Sequence, residues 1–226
     1  GVEAVPSLQK RVQEAGRRAG RPVVIATEML ESMVTSRRPT RAEASDVAGA
    51  VYEGADGVML SAESAIGKHP AHVVATMADI LAMAEADSAA PYAGRPGWAT
   101  PPSRSGRPDQ HVVRAAVGLA RETGAKAIIV FTRTGASAFR LSKERPEARI
   151  HAFASGDATC RRLTLAWGVR PTGLPDCTGT DEVFQFVKAH MEGPEAALTQ
   201  GDRAVLVMGG AKDPAGATTV IKLFTF

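Results

Sequence analysis

The chain has 226 residues, 44% of them hydrophobic, and a formal net charge of +3. These values are typical of a globular protein with one large domain or two ordinary ones, and no apolar run approaches the ~18 residues that span a bilayer. With no membrane span, no apolar leader and few, scattered aromatic residues, we expect a cytoplasmic protein whose partners do not include nucleic acid.

The first elements alternate between helix and strand. Apolar residues at helical spacing predict a helix from Val5 to about Ala19, whose basic residues form its solvated face, and Gly20 followed by Pro22 is a helix stop signal. "PVVIAT" then predicts a strand of continuous apolar character, the kind that is buried on both faces of a parallel sheet. "EMLESMVTS" begins like a helical turn, and "RRPTRAEASD" is a polar connection.

A second strand and two more helices follow. We expect a helix from Ala42 to Glu53, with Thr40 or Ser45 as its cap, and a helix from Pro70 to Ala84. Between them, "GADGVMLSAES" predicts a turn and a short apolar strand with a sudden polar ending. Strands and helices that alternate in this way form βαβ units with right-handed crossovers.

Parallel strands bring their carboxyl ends to one edge of the sheet. Thr27, at the end of the first strand, and the segment Ser61 to Glu63, after the second, should therefore lie on the same edge. At this edge α/β folds and barrels bind their ligands. Two strands buried on both faces cannot close a sheet alone, so we expect upstream sequence or another chain to complete this half.

The composition changes between Ala86 and Pro108 to a Pro-, Gly- and Ser-rich linker. A second α/β series then begins, with strands predicted at "KAIIVFT", "ARIHAFA", "GVRPTGL", "RAVLVMGG" and "TTVIKLFTF". Four helices are predicted between or before these strands: Gln110–Glu122, Ser137–Glu144, Asp157–Ala166 and Asp181–Met191. This half looks complete.

The sequence offers no pattern of metal ligands. Cys160 and Cys177 stand alone, and the five histidines have no ligand spacing, so packing or surface roles are expected for them. We predict no metal site within this chain.

Three stretches resemble a known family. "PVVIATEMLESM", "RPTRAEASDVAGAVYEGADGVMLSAES" and "GKHP" are similar to the end of the catalytic barrel of pyruvate kinase, and the remainder resembles that enzyme's C-terminal domain. The resemblance implies the last strands and helices of a (β/α)8 TIM barrel (residues 1–88), a linker (89–108) and a separate α/β allosteric domain (109–226). It also implies transfer of a phosphoryl group from phosphoenolpyruvate to ADP, with Mg²⁺ and K⁺ as cofactors and a homotetrameric assembly.

The same resemblance suggests roles for the polar strand ends. Thr27 matches the threonine of the family's "AT-x-ML" motif and would line the substrate pocket beside the carbon that is protonated. Ser61 and Glu63 match the ending of the eighth strand, usually Ser-Gly-Glu-Thr and here "SAES", and Glu63 would brace the pocket rather than bind a ligand directly. The family's metal and potassium ligands, phosphate-binding arginine and transition-state lysine would lie upstream, so we expect the isolated chain to be inactive.

The second half carries a further candidate site, "FTRTGASA". Backbone N–H groups and hydroxyls at a helix N-terminus bind phosphate well, and this segment offers them together with a basic side chain. An ordinary capped turn explains the same residues. In relatives that are activated by sugar phosphates the corresponding loop holds an effector phosphate, and the residues concerned here are Thr132, Arg133, Thr134, Gly135 and Ser137.

Two features count against fructose 1,6-bisphosphate as that effector. The segment Thr178 to Met191 lacks the tryptophan and arginine of responsive relatives, and the loop Gly209 to Thr218, with Lys212, is not a close match. A competing interpretation of the whole chain is a naturally truncated, non-catalytic protein that senses a phosphorylated metabolite through its C-terminal domain.

Overall fold

The chain is divided into two compact units, Gly1–Ala99 and Thr100–Phe226. The computed structural model describes residues 1–87, 108–175, 180–194, 196, 198–209 and 218–226. The predicted linker, Cys177 and Lys212 therefore lie outside the described residues, Pro108 excepted.

The first unit contains four helices and two strands in its described part. The helices are α1 (Val5–Ala19), α2 (Arg41–Tyr52), the short α3 (Ala62–Ala65) and α4 (Pro70–Ala86), and the strands are β1 (Val24–Ala26) and β2 (Gly57–Met59). Short 3₁₀ turns cover Val2–Ala4 and Glu31–Val34.

The ends of the helices follow from local chemistry. Gly20 closes α1 in the left-handed conformation, at a φ of 64° that suits glycine. Of the two predicted caps of α2, Thr40 is the one used: its hydroxyl accepts the Glu43 N–H while the Glu43 carboxylate accepts the Thr40 N–H, which is a capping box. Ser45 instead donates to the carbonyl of Arg41.

Strands β1 and β2 pair in parallel, with Val24 opposite Gly57 and Ala26 opposite Met59. Their core neighbours come from the β1–α2 connection and from α2 and α4. The buried members of this cluster are Met29, Leu30, Met33, Val47, Ala50, Ala55, Val73 and Met77.

Two expectations about burial in this unit are wrong. Val24 is 51% exposed although its strand was predicted to be buried on both faces, and Val12 of α1 is 59% exposed although it lies on the helix's apolar stripe. Helix α1 instead buries Gln13, whose amide donates to Glu53 after α2. The physical reason is that a sheet of two three-residue strands is too small to cover both the strand faces and the helix stripe.

In its described residues, the second unit is built on a five-stranded sheet in the order β5-β4-β3-β6-β7. The strands are β3 (Ala127–Thr132), β4 (Arg149–Ala154), β5 (Val169–Gly173), β6 (Arg203–Met208) and β7 (Val220–Thr225). All neighbours pair in parallel except β6 and β7, which are antiparallel. The helices are α5 (Pro108–Thr123), α6 (Ala136–Lys143), α7 (Asp157–Leu163) and α8 (Thr180–Glu192).

Helices cover both faces of this sheet. Alternate strand residues such as Ile128 and Ile150 pack with α5, α6 and α7, whereas Ile129 and Phe153 pack with Val187 of α8. This period of two is what a sheet buried on both faces requires. Helix α7 ends at Leu163 rather than at the predicted Ala166, because the amides of Leu165 and Ala166 bond three residues back, as in a tightened last turn.

Candidate functional site

Thr27 and Ser61 follow the two parallel strands of the first unit at the same edge of the sheet. Thr27 comes directly after β1, and Ser61 comes two residues after β2, whose last residue pairs with the last residue of β1. The parallel register therefore puts the two polar strand ends side by side, as the sequence predicted.

Thr27 has an unusual backbone. Its φ is 72° and that of Glu28 is 55°, so two consecutive residues that are not glycine adopt the left-handed conformation. For a β-branched residue this conformation is a genuine outlier, and it costs about 1 to 3 kcal/mol. Both side chains are exposed. Strain of this kind persists only where the surrounding structure fixes it, and it is concentrated at functional sites.

Glu63, in α3, ties the two strand ends together. Its carboxylate is fully buried and accepts the backbone N–H of Leu30 at 3.1 Å and that of Ser61 at 2.7 Å. Burial alone raises the pKa of Glu63, but the backbone N–H groups of Glu63, Ser61 and Leu30 outweigh it and hold the pKa below its ordinary value. The ionised carboxylate thus links the loop after β1 to the loop after β2.

Ser61 forms the start of the short helix α3. Its carbonyl accepts the amide of Ala65 at 3.0 Å and the hydroxyl of Ser64 at 3.4 Å. The hydroxyl of Ser64 therefore bonds within this turn. The turn is also tight, because a Cβ on Gly67 would fall 2.1 Å from the carbonyl oxygen of Glu63.

A second carboxylate, that of Glu43, bonds to the same connection and was missed at the level of sequence. It accepts the Ser32 N–H at 2.7 Å and the Ser32 hydroxyl at 2.6 Å, in addition to capping α2. The only sequence signal was the Thr-x-x-Glu spacing of a capping box, which says nothing about a contact eleven residues away.

These carboxylates do not fit a magnesium or potassium site. Glu43 and Glu63 accept backbone N–H groups, and no group of three His, Cys, Asp or Glu among the described residues could hold a metal ion. Within the same residues, no helix is long and apolar enough to cross a membrane.

In the second unit, the five residues of the predicted effector loop run from the last residue of β3, Thr132, to the second residue of α6, Ser137. The Thr132 hydroxyl accepts the Gly135 N–H at 2.9 Å, and Gly135 has a φ of 82°. Ser137 is buried and shares a 2.5 Å hydrogen bond with Thr218. The exposed members of the loop are Arg133 and Thr134.

Helix α7 contributes two further residues to this turn. Arg162 donates to the carbonyl of Thr134, and the Thr159 hydroxyl donates to the carbonyl of Arg133 at 3.3 Å. The sequence indicated neither, although the adjacency of parallel β3 and β4 brings the turns that follow them together. Hydrogen bonds within the loop and to α7 thus fix its backbone, while the Arg133 side chain is exposed to solvent.

The two units together are the end of a (β/α)8 barrel followed by an α/β domain. Two family models match: "Pyruvate kinase, barrel domain" over residues 1–74 and "Pyruvate kinase, alpha/beta domain" over residues 110–224. The chain belongs to the pyruvate kinase family, which confirms the resemblance seen in its motifs.

Known relatives are similar along almost the whole chain. A pyruvate kinase of Methylorubrum extorquens is 39% identical over 98% of this chain and 46% of its own length, and pyruvate kinase 2 of Synechocystis is 40% identical over 98% and 36%. A solved structure of a Cryptosporidium parvum pyruvate kinase superimposes with a TM-score of 0.85 at 34% identity, covering 99% of this chain and 43% of that one. The chain thus spans less than half the length of these relatives.

Proposed function

We propose that this chain is part of a pyruvate kinase, an enzyme that transfers the phosphoryl group of phosphoenolpyruvate to ADP and so yields pyruvate and ATP in glycolysis. The observation that carries the proposal is the strained Thr27 at the end of β1, beside Ser61 and braced by Glu63. Membership of the family is the basis for the proposed reaction. The edge of the sheet that carries Thr27 and Ser61 would form one wall of the substrate pocket.

The chemistry needs what this wall offers. Phosphoryl transfer depends mostly on positioning and charge stabilisation, and protonation of the resulting enolate needs a hydroxyl or an ordered water within hydrogen-bond reach. A threonine hydroxyl is a poor acid on its own but can orient such a water. We propose that Thr27 does this, and that Ser61 and Glu63 hold the adjoining loop in place.

The rest of the proposal follows the family. We propose that Mg²⁺ and K⁺ are held by residues outside this chain, that the complete enzyme is a cytoplasmic homotetramer, and that the chain divides into residues 1–88, 89–108 and 109–226. The matches of the two family models to residues 1–74 and 110–224 support this division.

A coupled assay with lactate dehydrogenase, phosphoenolpyruvate, ADP, Mg²⁺ and K⁺ tests the role of Thr27 in the complete protein that carries this chain. Thr27→Val keeps the side-chain shape and removes the hydroxyl, so kcat should fall at least tenfold. Thr27→Ser keeps the hydroxyl and is the matched control, with kcat within a few-fold of the parent. Equal kcat values for the two variants would refute the role of the hydroxyl.

The same assay tests the 226-residue chain alone. We expect no turnover, because one wall of a pocket cannot position both substrates. Turnover at the level of a complete enzyme would contradict the proposal that the remaining catalytic groups lie elsewhere.

We also propose that the loop Thr132–Ser137 binds the phosphate of a phosphorylated effector. The exposed Arg133 and Thr134, which precede α6 by two to three residues, support this, because a cation and a helix N-terminus attract an anion. The buried Thr132 and Ser137 would shape the loop. This binding is also what the alternative of a non-catalytic sensor would require, so it does not depend on catalysis.

Isothermal titration of the chain with several sugar phosphates tests the loop. Arg133→Ala should weaken any binding at least tenfold, and Ser137→Asp should abolish it, because it puts a charge beside the buried Thr218. Arg121 is an exposed arginine on α5, so Arg121→Ala is the control, and this variant should bind the sugar phosphates as tightly as the parent. Binding that survives both loop variants would exclude this site.

A further inference from the structure

Glu43 belongs to two structural features at once. As the third residue of α2 it accepts the Thr40 N–H at 2.7 Å and the Thr40 hydroxyl at 2.9 Å, which completes the helix cap. It also accepts both the N–H and the hydroxyl of Ser32, at 2.7 and 2.6 Å. A capping box needs only the bond from the Thr40 N–H to the Glu43 carboxylate and the bond from the Glu43 N–H to the Thr40 hydroxyl, so the bonds to Ser32 are additional.

Ser32 lies in the 3₁₀ turn that follows the strained residues. The Met33 amide bonds to the Leu30 carbonyl at 2.8 Å, so the two anchored residues share one turn. Glu63 holds the Leu30 end of this turn and Glu43 holds the Ser32 end. We call the Glu63–Leu30 and Glu43–Ser32 hydrogen bonds the two anchors. Only Thr27, Glu28 and Met29 lie between β1 and the first anchored residue, and Thr27 and Glu28 have positive φ angles.

The anchors explain why the strained conformation persists. A left-handed threonine relaxes to an ordinary conformation unless its flanks are fixed, and one flank here is the paired strand β1. The other flank is the turn held by the two carboxylates. Hydrogen bonds to an ionised acceptor are about twice as strong as neutral ones, which makes a carboxylate an effective anchor.

We infer that Glu43 is a positioning residue for the active site: through Ser32 it fixes the turn that holds Thr27 in its left-handed conformation. This inference rests on the proposed function as far as catalysis is concerned, but the placement of the turn does not. Burial raises the pKa of Glu43, and the four hydrogen bonds from Ser32 and Thr40 outweigh it and lower the pKa, so the anchor is ionised at neutral pH.

Hydrogen–deuterium exchange on the 226-residue chain tests the anchor without any activity. Glu43→Ala should accelerate exchange in residues 27–34 about tenfold or more, because the Ser32 N–H loses a charged acceptor. Glu43→Gln is the second variant: it preserves size but replaces one accepting oxygen with a donor, and it should act in the same direction.

Thr40→Ala is the matched control. It removes the cap hydroxyl from α2 but leaves both bonds between Glu43 and Ser32, so exchange in residues 27–34 should stay within about twofold of the parent. If Thr40→Ala accelerates exchange there as much as the Glu43 variants do, Glu43 is only a helix cap and the inference is wrong.

A double-mutant cycle in the complete protein tests the link to catalysis. Glu43→Gln should lower kcat about tenfold with a smaller change in KM, and it should have less than a twofold effect when Thr27 is already valine. Equal effects in both backgrounds would overturn the route through Thr27. If the parent protein has no pyruvate kinase activity, the proposed function fails, whereas the exchange experiment still decides whether Glu43 anchors the turn.

Discussion

The buried histidine of the second unit makes the stability of the chain depend on pH. His151, on β4, is 1% exposed, and its ring lies edge-on to that of His190 with 6.3 Å between centroids. Burial, followed by the positive charges of His190, Arg170 and Arg149, lowers the pKa of His151 from 6.5 to about 4. The folded chain therefore resists a proton that the unfolded chain accepts.

The direction and size follow from linkage. Because the folded-state pKa is lowered, the unfolded state binds more protons between pH 4 and 6.5, and the free energy of unfolding falls as the pH falls through that window. At ~1.4 kcal/mol per pKa unit the full loss is about 3 kcal/mol, of which about 2 kcal/mol falls between pH 7 and pH 4.5. The contribution of His151 to stability becomes complete about one pH unit above 6.5, where the imidazole is neutral in the unfolded state as well.

Urea unfolding from pH 7 to 4.5, followed by tryptophan fluorescence, measures this loss. The two tryptophans are Trp98 and Trp167, so a Trp98→Phe background confines the signal to the second unit. In that background His151→Leu should remove most of the pH dependence, whereas His111→Gln, an exposed histidine on α5, should keep it. The reasoning is refuted if the parent and His151→Leu lose stability equally on acidification.

Three further substitutions, two of them paired with a control variant, test the carboxylate brace and the turns by urea unfolding of the whole chain. Glu63→Leu should destabilise the first unit by about 2 to 4 kcal/mol, because it leaves the buried Leu30 N–H and the half-buried Ser61 N–H without acceptors; a loss below about 1 kcal/mol would contradict the brace. Gly135→Ala, at a φ of 82° with a Cβ 3.3 Å from Leu163, should cost about 1 to 2 kcal/mol, whereas Gly118→Ala, in open space on α5, should be neutral or stabilising. Thr40→Ala should cost about 1 kcal/mol and Ser45→Ala close to none; the reverse order would argue against Thr40 as the cap of α2.

The elements of the second unit were predictable because its sheet carries its own helices. The strand segment "KAIIVFT" is apolar between its two ends, and α5 to α8 bury both faces of the sheet within the described chain. In this unit the residues that the apolar pattern predicts to be buried are the ones that pack in the core. In the first unit the pattern and the packing disagree: Val24 belongs to an apolar run but is half exposed, because the two-stranded sheet of the described residues is too small to cover both of its faces.

The candidate site was predictable in its location but not in its geometry. Parallel strand ends place Thr27 and Ser61 on one edge, and this follows from the alternation of elements alone. The positive φ of Thr27 has no local signal, since β-branched residues avoid that conformation. The bonds from Glu43 and Glu63 cross eleven and thirty-three residues of chain, and no periodicity reports contacts of that kind.

The exposed stripe of α1 has a consequence for how the chain behaves in a cell. Val5, Leu8 and Val12 form an aliphatic row in water, beside the basic residues Lys10 and Arg11. Folding intermediates expose aliphatic surface of the same kind and aggregate through it. Chaperones therefore bind proteins that expose such rows. Produced as these 226 residues alone, the chain should be bound by chaperones and should self-associate as its concentration rises, although the described part of its second unit has a buried core on both faces of the sheet.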